Sequence, residues 1–214
     1  MSTARGQSAL LSPDSVLHRA AERLAQSFSG MVNEETVERV VFESYAALAR
    51  TAAVKTHVPS LAEKFARERL TALAQSKGLI AKPVPEVLYV CVQNSGRSQM
   101  AAALTRHLSE GRVHVRSAGS RPGDEILPEV ALVLAELDLD IGDEFPKPLT
   151  DDVVRAADAV ITMGCGDACP LYPGKRYLDW QLDDPADLDL DGVRRVRDDI
   201  RDRVEQLLSE LITS

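Results

Sequence analysis

The stretch VLYVCVQNSGRSQM, residues 87–100, decides the fold that we predict for this chain. Its first half is rich in β-branched and aromatic residues and predicts a buried strand that leads into Cys91. A short polar loop follows, and Arg97 opens a run of alanine, leucine and methionine that predicts a helix. A strand, a loop and a helix N-terminus in this order are typical of an anion-binding site.

The loop and the first helical turn form the predicted oxyanion site. Their backbone N–H groups have no intrahelical partners, so they can converge on a tetrahedral anion, whose charge the helix dipole also stabilises. Arg97 would add a planar guanidinium to the same anion. The same surroundings favour a thiolate at Cys91, which we therefore predict to be the nucleophile. The predicted anion ligands are Gln93, Asn94, Ser95, Gly96, Arg97 and Ser98.

Five residues separate Cys91 from Arg97. This spacing resembles the phosphate-binding loop of the low-molecular-weight protein tyrosine phosphatases and of the arsenate reductases built on the same fold. The alternative is a strand-end cysteine that packs as a small apolar side chain, followed by an ordinary surface arginine. The functional interpretation is favoured because the strand, the loop, the helix and the downstream motifs all agree with it.

Composition and charge limit the possible functions. The chain has no run of eighteen apolar residues and no secretory leader, so we expect a cytoplasmic protein without a membrane partner. Residues 1–81 hold ten basic and eight acidic residues, whereas residues 82–214 hold 15 and 25. Because residues 82–214 are strongly acidic, they are a poor partner for nucleic acid, and they must bind an anionic substrate through a local site. The substrate should therefore be a small oxyanion.

The sequence divides into two predicted domains. Residues 1–81 contain three amphipathic helices with short connections, which predict a small three-helix bundle. Helix starts are predicted at Ser12 and Asn33, and the run Val58-Pro59-Ser60 separates the second helix from the third. This bundle resembles the three-helix domain ahead of some actinobacterial arsenate reductases. We expect residues 1–81 to be dispensable for the chemistry, because every candidate functional residue lies in residues 82–214.

From Glu86 onward, strands alternate with helices. Predicted strands end near Cys91, Gly119, Met163 and Asp179, and helices lie between and after them, the last running to about residue 211. Such alternation predicts an α/β fold with a four-stranded parallel doubly wound sheet. Ligands of these sheets bind beyond the carboxyl ends of the strands, at the topological switch point, and this is where Cys91 is expected.

A displacement at an oxyanion also needs an acid on a separate loop to protonate the departing oxygen. The loop after the last predicted strand contains Asp183-Asp184-Pro185. An aspartate followed by proline resembles the general-acid motif of the same family, and Asp184 is the matching position, with Asp183 as the second choice. The alternative is an ordinary aspartate-proline turn in a segment rich in aspartate.

Two further cysteines, Cys165 and Cys169, follow the third predicted strand and are separated by a glycine-containing segment. Cysteines at this spacing can approach within disulfide range. They also form half of a zinc-site pattern, but no second pair completes it, so neither a metal nor a tightly bound cofactor is predicted. A phosphatase has no use for such a pair, whereas a reductase has.

Together these motifs resemble a three-cysteine arsenate reductase coupled to thioredoxin, over about three fifths of the chain. The resemblance implies that Cys91 attacks arsenate, that Arg97 binds its oxygens and that Asp184 supplies the proton. It also implies that Cys165 and Cys169 form a disulfide relay, that thioredoxin is the reductant and that phosphate competes for the site. Three alternatives stay open: a mycothiol-dependent arsenate transferase, a tyrosine phosphatase, and a redox-sensing or anion-binding module.

Overall fold

The computed structural model describes residues 12–52, 54–164 and 169–212. It confirms the predicted α/β fold with a four-stranded parallel sheet preceded by helices. The elements are α1 (Pro13–Ser27), α2 (Glu34–Ala49), α3 (Val58–Ser76), β1 (Glu86–Cys91), α4 (Arg97–Ser109), β2 (His114–Gly119), α5 (Pro128–Ala135), α6 (Asp151–Ala156), β3 (Ala159–Met163), β4 (Arg176–Asp179) and α7 (Leu190–Ile212), with short 3₁₀ turns at Lys55–His57 and Pro185–Asp187.

The sheet has the strand order β2-β1-β3-β4, and all neighbouring strands are parallel. β1 lies in the interior of the sheet, and each of its residues is buried, as expected for a parallel strand covered on both faces. Cys91 is in register with Gly119 on one side and with Met163 on the other. The carboxyl ends of three strands therefore meet around Cys91, as the sequence predicts.

One face of the sheet is covered by helices that follow β1 in the chain. Val87 and Tyr89 contribute to its core from β1, and α4, α5 and α7 contribute apolar side chains to the same buried cluster. The Tyr89 hydroxyl is 2.7 Å from the Thr105 hydroxyl on α4. Burial raises the pKa of Tyr89 well above its ordinary value, so this phenol stays neutral.

The opposite face is covered partly by the N-terminal helices. Leu88 and Val90 pack there with apolar residues of α6 and with Ala72 of α3. From β2, the buried Arg116 donates to the Glu68 carbonyl of α3 at 2.9 Å. Because α6 has only six residues, α3 supplies part of the layer that this face needs.

The N-terminal helices otherwise match the prediction. The Ser12 hydroxyl and the Asn33 side chain accept the expected capping hydrogen bonds, from backbone N–H groups three residues later. α3, however, begins at Val58, the first residue of the predicted break, because Pro59 fits the first helical turn, where its missing N–H costs nothing. The boundary at residues 81 and 82 stays a prediction about folding units.

Two further observations qualify the predicted organisation. α5 is short and ends at Ala135, where the chain turns, and Asp138 adopts a positive φ of 58°. The segment before β1 is tied to the sheet, since Lys82 Nζ lies 2.5 Å from an Asp158 oxygen. In the part of the chain that is described, no helix is long and apolar enough to cross a membrane.

Candidate active site

Cys91 ends β1 and is only 2% exposed. Its Sγ accepts a hydrogen bond from the Asn94 backbone N–H at 3.1 Å and lies 3.0 Å from the Ser98 hydroxyl. The Asn94 side-chain amide donates to that hydroxyl at 2.8 Å. The hydroxyl proton of Ser98 is thereby left for Sγ, so two hydrogen-bond donors meet the sulfur.

The loop after β1 is locked by buried side-chain hydrogen bonds. Asn94 adopts a positive φ of 52°, which asparagine tolerates better than most residues. Its Oδ1 accepts from the Lys147 backbone N–H at 2.8 Å and from Gln99 Nε2 at 3.2 Å. Gln99 Nε2 also donates to the carbonyl oxygens of Asn94 and Phe145, at 3.1 and 3.2 Å. The backbone N–H of Asn94 is engaged with Cys91 and its side-chain amide with Ser98. Asn94 therefore stabilises the shape of the loop.

Gln99, Phe145 and Lys147 were not predicted as site residues. For Gln99 a signal existed, since it is a polar residue directly before the apolar run of α4 that starts at Met100, and it is fully buried. No local sequence pattern identifies Phe145 and Lys147 as site residues, because the loop residues that they contact are about fifty positions away in the sequence. They belong to the segment that connects α5 with α6.

Gly119 is a further missed residue, at the end of β2 beside the loop. A Cβ built there would lie 2.8 Å from the Val92 carbonyl oxygen and 3.0 Å from the Asn94 backbone nitrogen. Both atoms belong to the backbone and cannot rotate away, so only glycine lets the loop come this close. A glycine at the end of a predicted strand was the available signal.

The predicted anion donors cluster at the N-terminus of α4, where Gly96 is the N-cap and Arg97 the first residue. Ser95 and Ser98 are buried, and Gln93 is exposed at the rim. The Ser95 hydroxyl donates to the Gln93 side-chain oxygen at 3.2 Å. Because the first N–H groups of a helix lack intrahelical acceptors, this end of α4 is suited to an anion.

Arg97 and Asp184 form an ion pair, with Nη2 and Oδ2 2.5 Å apart. Nη1 of Arg97 also donates to the Leu182 carbonyl at 3.4 Å. The arginine side chain is 9% exposed, whereas the aspartate side chain is 45% exposed. Of the two candidate acids, the structure brings Asp184 to Arg97, while Asp183 is exposed on the neighbouring surface.

Two glycines allow the three loops to approach each other. A Cβ at Gly164, which follows β3 with a φ of +74°, would lie 3.1 Å from Nη1 of Arg97. A Cβ at Gly96 would lie 3.3 Å from the Pro185 side chain, next to Asp184. The loop after β4 thus packs directly on the loop that follows Cys91, so Cys91, Arg97 and Asp184 share one edge of the sheet.

The structure is informative about only one of the two downstream cysteines. Cys165 lies outside the described residues. Cys169 is 8% exposed and belongs to the same buried cluster as Val90 and Val160. It lines a cavity with Tyr177, whose pKa is raised above its ordinary value mainly by burial. Their predicted roles in a disulfide relay stay predictions.

The chemistry of the site suits an anion. Its contributors are backbone N–H groups, a guanidinium and hydroxyl groups, which are donors to anionic oxygens. Over residues 12–52, 54–164 and 169–212, no group of three or more histidine, cysteine, aspartate or glutamate side chains could hold a metal ion.

Comparison with protein families gives two matches that together cover most of the chain. Residues 86–214 match the family described as low molecular weight phosphotyrosine protein phosphatase. Residues 17–74 match a domain described as the N-terminal domain of protein-tyrosine-phosphatase-like proteins. The second match falls on α1 to α3, and the first begins at β1.

Individual relatives agree with these matches. A solved structure of a Corynebacterium glutamicum thioredoxin-dependent arsenate reductase is 50% identical, covers 92% of this chain and 96% of its own, and gives a TM-score of 0.83. A structure described as an arsenate reductase in the phosphate binding state is 32% identical over 60% of this chain and 99% of its own, with a TM-score of 0.52. The glutaredoxin arsenate reductase of Synechocystis sp. is 32% identical over 59% of this chain and 98% of its own length. The predicted resemblance is confirmed.

Proposed function

The chain belongs to the low molecular weight phosphotyrosine protein phosphatase family, and we propose that it reduces arsenate to arsenite with Cys91 as the nucleophile. The observation that carries this proposal is the meeting of Cys91, Arg97 and Asp184 at one edge of the sheet. Three relatives described as arsenate reductases support the choice of arsenate among tetrahedral oxyanions. Phosphate, of the same shape and charge, should compete.

In the first step the oxyanion binds at the N-terminus of α4, and the guanidinium of Arg97 turns from Asp184 to the anionic oxygens. Asp184 is thereby released from the ion pair and is free to act as the general acid. Cys91 then attacks arsenic, and Asp184 gives its proton to a hydroxyl group of the arsenate, which departs as water. A sulfur–arsenic bond has formed, and arsenic is still As(V).

In the second step Cys165 attacks the sulfur of Cys91. The sulfur–arsenic bond breaks, its electron pair stays with arsenic, and arsenite, As(III), is released as a Cys91–Cys165 disulfide forms. Cys169 next attacks Cys165 and frees Cys91. A dithiol partner reduces the Cys165–Cys169 disulfide, so two electrons enter for each arsenate. The thioredoxin dependence of the Corynebacterium relative supports thioredoxin as that partner.

Two variants test the relay directly. Cys169→Ser should complete one turnover and stop as a Cys91–Cys165 disulfide, because the exchange that carries oxidation outward has lost its thiol. Cys165→Ser should stop earlier, at the arsenic adduct. Mass spectrometry after one equivalent of arsenate would distinguish these states. Sustained turnover with thioredoxin in both variants would refute the relay, and turnover sustained only by added mycothiol would favour the mycothiol-dependent class.

A phosphatase is the second candidate, because the family is described by that activity and its chemistry needs only Cys91, Arg97 and Asp184. Hydrolysis of a small aryl phosphate should therefore survive in both cysteine variants. The wild-type protein should reduce arsenate far more efficiently than it hydrolyses the ester. The reverse order of the two kcat/KM values would make the phosphatase the principal function.

A further inference from the structure

The segment of residues 143–147, which we call the strap, lies between the N-terminal helices and the nucleophile loop. Its side chains are anchored to the helices. Phe145 is 7% exposed and belongs to the buried cluster of α1, α2 and α3. Lys147 Nζ pairs with Glu68 of α3 at 3.5 Å and with Glu144 at 3.0 Å. Lys64 of α3 donates to the strap's first carbonyl at 2.8 Å and lies over the Phe145 ring.

The backbone of the same strap is bonded to the loop. The carbonyl oxygen of Phe145 accepts from Gln99 Nε2 at 3.2 Å, and the N–H of Lys147 donates to Asn94 Oδ1 at 2.8 Å. Asn94 in turn donates to the Ser98 hydroxyl, which contacts the sulfur of the nucleophile. A continuous series of contacts therefore runs from α3 to Cys91.

We propose that the N-terminal helices position the nucleophile through this strap, with Phe145 and Lys147 as positioning residues. The proposal rests on the proposed function only in taking Cys91 as the nucleophile. It replaces the expectation that residues 1–81 are dispensable for the chemistry, since α3 anchors the strap and also covers part of the sheet.

Burial makes the anchor effective. Lys147 is 4% exposed, so removing its acidic partners would leave a cation in the interior, which is strongly unfavourable. Burial opposes ionisation of Glu144, but the charges of Lys147 and Arg106 outweigh it and lower the pKa of this carboxyl. Lys147 therefore keeps an ionised partner within the strap as well as Glu68 on α3. Displacing this lysine would move the N–H group that holds Asn94.

The test uses the full chain with both Cys165→Ser and Cys169→Ser, so that Cys91 is the remaining thiol. Phe145→Ala removes the apolar anchor, and Lys147→Met removes the charged one. Asp152→Asn is the matched control, because Asp152 pairs with Arg69 of α3 at 2.9 Å in the same interface, and its hydrogen bonds go to Arg69 and Thr150. The readout is the rate of alkylation of Cys91 by iodoacetamide as a function of pH.

We expect both strap variants to slow alkylation at neutral pH by about tenfold and to move the half-maximal rate to higher pH, because the donors to the sulfur are misplaced. The alkylation rate of Asp152→Asn should stay within about twofold of the parent rate, even if its melting temperature falls as far as those of the strap variants. A destabilisation away from the loop leaves the positions of the donors to the sulfur unchanged. Lys147→Arg, which keeps the charge, should restore most of the rate. Equal rates in all variants, or equal slowing in the control, would overturn the proposal.

A milder variant covers the case in which Phe145→Ala does not fold. Glu68→Gln keeps the shape of the side chain and weakens only the ion pair with Lys147, so it should slow alkylation in the same direction by a smaller factor. An unchanged rate in both Glu68→Gln and Lys147→Met would likewise overturn the proposal. Alkylation needs no arsenate, so the positioning role and the reductase activity can fail independently.

Discussion

The loop after β1 and the loop after β4 both reach the active edge, but they are held in opposite ways. In the first loop, Cys91, Asn94 and Ser98 are almost completely buried and are connected by hydrogen bonds of 2.8 to 3.1 Å. In the second, the Asp184 side chain is nearly half exposed. Its carboxylate is held by Arg97 and by one backbone N–H, that of Ala186.

This difference fits the proposed roles of the two loops, in which the first supplies the nucleophile and the second supplies the acid. A nucleophile and its anion donors are most effective when they are fixed before the substrate arrives, because no reorganisation is then needed during the reaction. An acid that begins in an ion pair must instead give up its partner when the oxyanion binds. We infer that solvent access is what allows Asp184 to make this exchange.

Removing the nucleophile from the buried loop should have the largest effect. Cys91→Ser keeps the shape of the site but replaces the sulfur by a hydroxyl, a much weaker nucleophile, so we expect turnover to fall by at least about 10⁴-fold, to background. Arsenate reduction and aryl phosphate hydrolysis would both be measured, with circular dichroism as the control for folding. Retained arsenate reduction would show that another residue attacks arsenic.

The exposed loop should give the next largest effect. Asp184→Asn removes the proposed proton donor and should lower turnover by about 10²- to 10⁴-fold, the usual contribution of a positioned general acid. Asp183→Asn, one residue earlier, is the matched control and should change turnover little. If the two variants were equally impaired, the assignment of the acid would lose its basis.

A glycine substitution tests how far the buried loop depends on its fixed geometry. Gly119→Ala places a Cβ against the backbone of Val92 and Asn94, so the loop must shift, and we expect a loss of about 10- to 100-fold in kcat. The free energy of unfolding should fall by about 1 to 3 kcal/mol, typical of overpacking. Gly123→Ala is the control, because its Cβ would lie 3.8 Å from the Gln93 carbonyl, an ordinary contact. Similar kinetics for both alanine variants would argue against a rigid loop.

The smallest effect is expected away from both loops, at Glu43 on α2. Burial opposes ionisation of Glu43, but hydrogen bonds from Arg69 and Arg39 outweigh it and lower the pKa of the carboxyl. The resulting stabilisation of the fold is complete above the ordinary glutamate pKa of about 4.3. It is lost as the pH falls through the lower pKa that Glu43 has in the folded state.

Glu43→Gln should therefore cost at most about 1 kcal/mol of unfolding free energy at pH 7, because the side chain is 44% exposed and its ion pairs are screened. The cost should shrink in acid, while turnover at neutral pH stays unchanged. Urea unfolding at several pH values measures the first point, and arsenate reduction the second. A loss of turnover without loss of stability would mean that α2 influences the active edge directly.

The sequence was most informative where the contacts are local. The predicted start of the helix after Cys91 and the predicted end of the third strand agree with α4 and β3, because helix and strand periodicity depends on consecutive residues. The location of Cys91 beside Arg97 follows from the same short stretch. The start of α3 was predicted less accurately, since a proline is compatible either with a break between helices or with the first turn of a helix.

By itself, the sequence determined the elements and the cysteine-to-arginine loop, because each depends on residues only a few positions apart. It also determined the parallel sheet, because strands that alternate with helices pair in parallel. Only the tertiary structure decided that Arg97 meets Asp184, 87 residues away, and that Asn94 is held by Lys147, 53 residues away. It also decided that α3 covers the sheet and anchors the strap. Such contacts depend on how whole elements pack, and an amphipathic helix pattern specifies that a face is buried without specifying its partner.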